Sequence, residues 1–227
     1  IVQNSGTIAS DIDLYSGTLE NSGYVSNVVV SSGGMLKMFD GASFGQLDMS
    51  TAGSGMVMTE GTCAVDTLKV NPYGFSVLDS SNTQLNVSDT VDFTGNTKLD
   101  EKFKIAVSDT TAISTEGQSG LYVWKDGKKY ALPSSVMTGE TLSDIYSLSI
   151  DKNILSFEEQ AIGYQTSEKE TFRVTNRGAF DAQLKFVLDG EWDAMFTVRP
   201  IENTSVDGGY YYIEPGKTGI FEVELKK

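Results

Sequence analysis

The sequence predicts an all-β protein in three parts: a short β-helix, or solenoid, over residues 1–97, a small β cap module over 98–150, and a C-terminal β-sandwich over 151–227. Three observations predict this fold class. The first part repeats an apolar pattern with glycine turns, the second places an Asp-Gly pair between two β-rich runs, and the third has long alternating strands. No stretch is typical of a helix longer than one or two turns.

The first part contains a repeat of about 18 residues. Each copy has two apolar residues separated by one other residue, and a glycine turn follows. The apolar pairs are Ile12 and Leu14, Val28 and Val30, Leu47 and Met49, Leu68 and Val70, and Leu85 and Val87. Because so short a unit cannot bury an apolar face alone, we expect the copies to stack in parallel with the pairs in one interior column. Glycine is expected at each corner because positive φ costs it little.

The residue between each apolar pair is expected to point outward. Leu68→Asp should therefore cost several kcal/mol, whereas Lys69→Asp should cost under about 0.5 kcal/mol. The similar run Val91-Asp92-Phe93 follows too soon after Leu85 to fit the period. We interpret it as the end of regular coiling.

The repeat resembles a known family through three runs: Ser32-Gly33-Gly34-Met35-Leu36, Asp40-Gly41-Ala42 and Leu47-Asp48-Met49. They are similar to the passenger repeats of AIDA-type autotransporter adhesins, over residues 5–95 or thereabouts. The resemblance implies a right-handed β-helical stalk in a piece of a longer bacterial surface protein. It also implies structural display or adhesion, an extracellular or cell-surface location, and an unknown protein or glycan ligand.

The middle part contains a hairpin signal at Asp126-Gly127. The β-rich runs 121–124 and 129–132 flank this pair, and Asp-Gly is the preferred sequence of a tight hairpin turn. The alternating run Ile145–Ile150 is assigned to the same module. We expect the module to close the open end of the solenoid.

The third part has several alternating strands with turns at Asn176-Arg177-Gly178 and Glu214-Pro215-Gly216-Lys217. Strands at this spacing suggest an antiparallel β-sandwich. The order Phe-x-Val-Thr-Asn-x-Gly, then a Phe-rich strand, then Ile-x-Pro-Gly-x-Thr resembles immunoglobulin-like domains of the sperm-protein, ASPM and Hydin type. That resemblance implies an interaction or spacer module and not a catalyst.

Composition narrows the range of partners. The formal net charge is −14, and a field of that sign repels phosphate backbones and anionic membranes. No run reaches the roughly 18 apolar residues that a membrane helix needs. We therefore expect no nucleic-acid partner and no membrane insertion of this piece.

The chain contains no histidine, which excludes Ser-His-Asp and Cys-His catalysis and histidine-rich metal sites. Cys63 is the single cysteine, and in its small-residue context we expect a buried structural thiol. The sequence therefore predicts no enzyme activity, no catalytic or metal-ligating residues and no cofactor.

The alternative is a β-helix protein that binds or degrades polysaccharides. Lys37 and Lys69 are the only bases of the solenoid, and we expect both to be outward and solvated. Its acids could form a hydrolase pair or an outward ladder that binds Ca²⁺ weakly. These acids are Asp13, Asp40, Asp48, Glu60, Asp66 and Asp79. The candidate ligand-binding aromatic residues are Tyr122, Trp124, Tyr130, Tyr210 and Tyr212.

Overall fold

The computed structural model describes residues 1–51, 53–59, 61–70, 75–77, 83–94, 103–159, 167–188 and 195–226. The regular secondary structure of these residues is almost entirely β-strand, with a one-turn helix α1 at Leu142–Ile145. The chain divides into two compact units, Ile1–Leu142 and Ser143–Lys227. Within the described part, no helix is long and apolar enough to cross a membrane.

The first unit is a β-solenoid of about five turns. Its strands are β1 (Val2–Asn4), β2 (Thr7–Leu14), β3 (Gly17–Asn21), β4 (Tyr24–Val30), β5 (Gly34–Met38), β6 (Ser43–Met49), β7 (Gly55–Met58), β8 (Gly61–Val70), β9 (Phe75–Val77), β10 (Thr83–Phe93), β11 (Phe103–Val107), β12 (Ala112–Ser114), β13 (Tyr122–Lys125), β14 (Lys128–Ala131) and β15 (Glu140–Thr141). The strands β1, β3, β5, β7 and β9 pair in this order as one parallel sheet. In the second sheet β2, β4, β6, β8, β10, β11 and β13 pair in parallel, and β14 is antiparallel at its edge.

Apolar side chains line up across the coils, as the repeat predicts. In the second sheet Ile12, Val28, Leu47 and Leu68 are in register from β2 to β8. The last three are fully buried. Parallel stacking therefore gives the solenoid one continuous apolar interior, which a single coil could not supply.

The fifth member of this column differs from the prediction. Val91 lies beside Leu68 and Phe93 beside Val70, whereas Leu85 lies beside Cys63. The run 91–93 is therefore a regular part of the fifth coil and does not end the coiling. Strand β10 spans Thr83–Phe93 and carries both apolar runs, with a register shift between Val87 and Thr90. The sequence pattern alone could not distinguish the two runs because both have the same spacing.

Corner glycines have two different physical causes. Gly33 has a φ of +89°, which is the predicted reason for glycine. Its neighbour Gly34 lacks positive φ, but an added Cβ there would lie 2.1 Å from the carbonyl oxygen of Leu14 on the preceding coil. Backbone conformation therefore selects glycine at position 33, and close approach of stacked backbones selects it at position 34.

The segment after β10 continues the solenoid sheet and belongs to the first unit. Strand β11 pairs in parallel with β10, and β13 follows it. The predicted hairpin at Asp126-Gly127 is present, with φ of +48° and +73° at these residues. The apolar interior continues into this segment through buried side chains. These are Ile105, Ile113, Leu121, Val123, Leu132 and Val136.

The division between the units lies at 142/143, before the predicted boundary at 150/151. Strand β16 (Leu148–Ile150), which was predicted to belong to the cap module, pairs with β17 (Lys169–Asn176) in the second unit. Its pairing partners, such as Val174 for Ile150, lie far along the chain and decide its place, whereas local alternation carries no such information. The predicted boundary at 97/98 lies outside the described residues.

In the part of the second unit that the structure describes, the strands form two antiparallel sheets. Its remaining strands are β18 (Ala182–Leu184), β19 (Phe196–Glu202), β20 (Ser205–Asp207), β21 (Tyr210–Ile213) and β22 (Thr218–Leu225). One sheet has the order β16-β17-β22-β19, and the other has the order β18-β21-β20.

Both sheets of the second unit contribute to one hydrophobic cluster. Phe172 and Phe221 come from the four-stranded sheet and Ile213 from the three-stranded sheet. Phe186 packs edge-on against Phe172 and Phe221, with ring centroids 5.5 and 4.8 Å apart. Aromatic packing of this kind supplies much of the apolar area that holds the two sheets together.

Candidate functional site

A row of charged residues crosses the outward face of three neighbouring solenoid strands. Asp48 on β6, Lys69 on β8 and Asp92 on β10 are in register. The Nζ of Lys69 lies 3.6 Å from Oδ2 of Asp48. Since adjacent strands are about 4.8 Å apart, the backbone positions of Asp48 and Asp92 are about two strand spacings apart, and Lys69 lies on the strand between them.

Asp92 is the perturbed member of this row. Partial burial raises the pKa of Asp92 above its ordinary value, Lys69 opposes the shift and Asp48 adds to it. Asp48 has other partners, because its Oδ1 accepts hydrogen bonds from the amide and the hydroxyl of Ser50 at 3.0 and 2.6 Å. Sequence reasoning missed Asp92 because it interpreted 91–93 as the end of coiling. The apolar-charged-apolar pattern of 91–93 was the signal.

The geometry of the row bears on the hydrolase alternative. The carboxylates of an inverting glycosidase are separated by about 6.5–9.5 Å, and a water molecule lies between them. Here Lys69 occupies that space and pairs with Asp48. The row can balance charge between coils, but its centre offers an ammonium group where a water molecule would be needed.

Among the residues that the structure describes, the other predicted acids do not form a pair either. Asp13 lies in the same row as Asp48, but Val29 separates them. Asp40 accepts a hydrogen bond from the amide of Thr62 at 2.8 Å, and Asp66 accepts one from the hydroxyl of Ser88 at 2.7 Å. Both carboxylates therefore link one coil to the next. Glu60 and Asp79 lie outside the described residues.

Metal-ligating groups are dispersed in the same way. Within the described ranges, no three Cys, Asp or Glu side chains come close enough together to hold a metal ion. Lys37, the other lysine of residues 1–97, lies 3.2 Å from Oε1 of Glu20 and 4.9 Å from the ring centroid of Phe39. Lys37 and Lys69 are therefore outward, as predicted, but each pairs with a carboxylate of the preceding coil.

Cys63 is a buried thiol, as predicted. Its side chain is 1% exposed, and its Sγ lies 3.2 Å from the carbonyl oxygen of Phe39. Burial raises the pKa of Cys63 to about 12. A thiol with so high a pKa holds almost no nucleophilic thiolate at neutral pH.

Three of the candidate aromatic residues lie on the hairpin of β13 and β14. Tyr122 and Trp124 share the outward face of β13, whereas Tyr130 lies opposite the buried Val123. Lysine ammonium groups stand over both outward rings: Lys129 is 3.8 Å from the centroid of Tyr122, and Lys104 is 5.0 Å from that of Trp124. These ring faces are already in cation–π contacts, so a sugar ring would have to displace the lysines.

The other two candidates, Tyr210 and Tyr212, lie on the outward face of the three-stranded sheet. Tyr210 is exposed, and Tyr212 is half-buried. The hydroxyl of Tyr212 accepts a hydrogen bond from Nε2 of Gln183 at 3.0 Å. Between them Tyr211 turns inward and packs edge-on against Phe221 at 5.5 Å. Because successive side chains of β21 point to opposite faces of the sheet, Tyr210 and Tyr212 face outward and Tyr211 belongs to the core.

Tyr212 also lines a polar cleft of about 390 Å³. The cleft lies between the β19–β20 connection and the turn after β21. Its other lining residues are Asn203, Thr204, Ser205, Glu214 and Lys217. A tyrosine ring beside hydroxyl, amide and charged groups can offer a polyhydroxylated ligand both an apolar face and hydrogen bonds. Sequence reasoning found the tyrosine but not the cleft, because the two turns that form it are separated along the chain.

Comparison of the chain with family models, with curated proteins and with solved structures finds no match. The class is therefore defined by the fold: an all-β protein built on a parallel β-solenoid of about five turns, followed by a second β unit.

Proposed function

We propose that this chain is part of a bacterial cell-surface, adhesin-like protein. In this proposal the solenoid is a right-handed β-helix that acts as a rigid stalk. The second unit is an immunoglobulin-like β-sandwich that serves as an interaction or spacer module.

The observation that carries the proposal is the unbroken parallel ladder from β2 to β13. The coils from β1 to β10 are hydrogen-bonded to one another through both sheets, and β11 and β13 extend the second sheet. Buried side chains fill the interior between the two sheets. Side-chain bonds such as Lys37–Glu20 and Lys69–Asp48 add further links between coils. A stack of this kind resists bending because bending would have to break rows of backbone hydrogen bonds together.

The proposal for the second unit rests on its two antiparallel sheets and their shared aromatic cluster. The turn at Asn176 also supports it. Its side chain is buried, accepts a hydrogen bond from the amide of Gly178 at 3.0 Å and donates one to the carbonyl of Ile213 at 2.8 Å. A buried asparagine that ties a turn to the opposite sheet is suited to a small, self-contained sandwich.

Hydrogen exchange tests the stalk. Amides of β4, β6, β8 and β10 should exchange slowly and at similar rates, because they belong to one cooperative stack. Surface location is tested by adding protease to intact cells that produce the natural protein. Fast exchange throughout these strands would contradict the proposal of a rigid stalk. If the protein is cleaved only after the cells are lysed, the proposed surface location is wrong.

The proposed role is binding or display without catalysis. It is supported by Lys69 between the two carboxylates and by the raised pKa of Cys63. We expect no reducing ends or unsaturated uronates to be released from pectin, alginate, xylan or mucin glycans. If either product is released, and if Asp48→Asn or Asp92→Asn abolishes that release, the polysaccharide-degrading alternative is favoured.

A second candidate function is glycan binding by the second unit, and the cleft beside Tyr212 favours it. The test is a glycan array with the wild-type chain and with Tyr212→Ala and Tyr210→Ala. Tyr24→Ala, which removes an exposed tyrosine of the solenoid, is the matched control. Binding that Tyr212→Ala and Tyr210→Ala each weaken at least about tenfold, a loss of about 1.4 kcal/mol, supports this function. Binding that all three variants leave unchanged places the glycan elsewhere.

A further inference from the structure

The first corner of the solenoid repeats in the next coil. Asn4-Ser5-Gly6 and Asn21-Ser22-Gly23 occupy equivalent corners, since Asn4 and Asn21 are in register on β1 and β3. The amides of Ser22 and Tyr24 donate hydrogen bonds of 2.9 Å to the carbonyls of Asn4 and Gly6. Each corner therefore docks onto the corner of the coil before it.

Gly23 shows why the corner needs glycine. Its φ is not positive, so backbone conformation does not require glycine there. An added Cβ would lie 2.1 Å from the carbonyl oxygen of Gly6, which is far inside van der Waals contact. Glycine is required at this position because the preceding coil stacks directly on it.

Gly6 holds the same position in the first coil, and nothing described in the structure explains it. Its φ is not positive, and an added Cβ would meet no atom of the described residues within 4 Å. Alanine would be better there for an isolated edge, because glycine costs about 0.5–1 kcal/mol in chain entropy. A coil stacked on Gly6 as Gly6 stacks on Gly23 would make glycine necessary.

The asparagine side chains point to the same conclusion. The Oδ1 of Asn21 accepts two hydrogen bonds, one from the amide of Gly23 at 3.2 Å and one from Nδ2 of Asn4 at 2.7 Å. Among the described residues, Oδ1 of Asn4 accepts only from the amide of Gly6, at 3.1 Å. An asparagine on a further coil would fill its second acceptor position.

The apolar columns are also open at this end. Val2 is 59% exposed, whereas Leu19, its neighbour in register, is 1% exposed. Ile8 is half-buried, whereas Val25 beside it is fully buried. The edge therefore presents backbone, asparagine and apolar groups in the same arrangement that joins the coils within the solenoid.

We propose that the edge formed by β1, the corner Asn4–Gly6 and β2 is a docking surface for a further parallel β-coil with an Asn-x-Gly corner. The inference rests on the proposed stalk. The occupant is a strand–corner–strand segment of the same repeat chemistry, which pairs with both edge strands at once. Its asparagine donates to Asn4 and its corner carbonyl lies over Gly6, as Gly6 lies over Gly23.

The experiment combines two changes: a coil of this kind is added to the chain, and Gly6→Ala fills the space into which the coil would stack. A copy of residues 17–34 is joined before Ile1, so that Ile1 takes the place that Met35 has after Gly34. Because Leu19 is in register with Val2, this junction sets the added leucine beside Val2 and the added asparagine beside Asn4. Gly6→Ala is made in the extended chain and in the original chain, and amide exchange of β1 and β2 is measured in all four proteins.

We expect the added coil to slow exchange of the edge amides of β2 by at least about tenfold, since they gain hydrogen-bond acceptors. Gly6→Ala should abolish this protection in the extended chain and leave the rates of the original chain unchanged. Equal effects of Gly6→Ala in both chains, or no protection from the added coil, would overturn the proposal.

A second copy of the chain is the competing occupant. If the original chain sediments as a dimer and Gly6→Ala dissociates that dimer, the edge binds a second copy of the chain and not the proposed coil. Slow exchange of β4, β6, β8 and β10 is measured in the same experiment. It reports on the rigid stalk separately from the behaviour of the edge.

Discussion

Val91 lies directly beside Leu68 across the ladder between β8 and β10. Both side chains are fully buried, and Phe93 lies beside Val70 in the same way. Asp92, which lies between Val91 and Phe93 in the chain, is therefore brought beside Lys69. This register decides both the core of the fifth coil and the charged row on its outer face.

The first prediction tests this register. Val91→Asp should destabilise the solenoid by about 3 kcal/mol or more, as should Leu68→Asp, because each would bury a charge without a partner. Asn86→Asp, at an exposed position of the same strand, is the control and should cost less than about 0.5 kcal/mol. Denaturant unfolding measures all three. A Val91→Asp protein as stable as the control would mean that 91–93 lies outside the stack.

The second prediction concerns Lys69 and revises the expectation from the sequence. Lys69→Asp would place a third carboxylate between Asp48 and Asp92, so like charges would be adjacent on neighbouring strands. We now expect a cost of about 1 kcal/mol, above the limit of about 0.5 kcal/mol that an isolated outward lysine suggests. The cost should fall at high salt because these side chains are partly exposed.

Lys69→Arg is the matched control for the charge row and should be nearly neutral, because it keeps a cation between the two carboxylates. Stability curves at low and high ionic strength separate charge from packing. A loss for Lys69→Asp that salt does not change would point to packing and not to charge repulsion.

The third prediction is a pH dependence from Asp92. Its pKa in the folded protein is raised, so the folded state binds this proton more tightly than the unfolded chain does. The stabilisation is present below the ordinary carboxyl pKa and is lost as pH rises through the raised value. Asp92→Asn should therefore be more stable than wild type at neutral pH, and the difference should shrink as pH falls below about 4. A gain that is the same at every pH would exclude this cause.

The fourth prediction is the opposite pH dependence in the second unit. Hydrogen bonding to Lys169 lowers the pKa of Glu222, and Arg199 acts in the same direction. The Nε of Arg199 lies 2.7 Å from Oε1 of Glu222. Because the folded pKa is lowered, this stabilisation is present above the ordinary pKa of glutamate and is lost as pH falls through the folded value.

Glu222→Gln should therefore reduce the stability of the second unit at neutral pH and leave it almost unchanged at strongly acidic pH. Unfolding followed by hydrogen exchange in β17 and β22 locates the effect in this unit. Thr171→Val, on the neighbouring strand and without a charge, is a control whose effect should not depend on pH.

The fifth prediction concerns Cys63. A thiol reagent should not modify it in the folded chain at neutral pH, because the side chain is buried and its pKa is about 12. Labelling should become complete once the solenoid unfolds in denaturant. Rapid labelling of the folded protein at neutral pH would contradict the buried environment. Cys63→Ala should cost about 1 kcal/mol through the small cavity that it leaves.

The class of fold and much of the solenoid could be predicted from the amino-acid pattern. Stacking is the only way for a short repeat with one apolar pair to bury its apolar face, so Leu47 and Leu68 could be placed inside and Lys69 outside from the pattern alone. The Asp126-Gly127 turn was predictable for a similar reason, since its backbone conformation is local and few residues adopt it.

Tertiary structure decided what depends on pairing between distant segments. Two runs in β10 have the same apolar spacing, and only stacking on β8 selects Val91 and not Leu85 as the neighbour of Leu68. Strand β16 alternates like any edge strand, and only its pairing with β17 assigns it to the second unit. The cleft beside Tyr212 and the close contact between Gly6 and Gly23 depend on the same kind of information. Periodicity fixes which face of a strand is apolar, but the neighbour of that strand is fixed by the free energy of the whole stack.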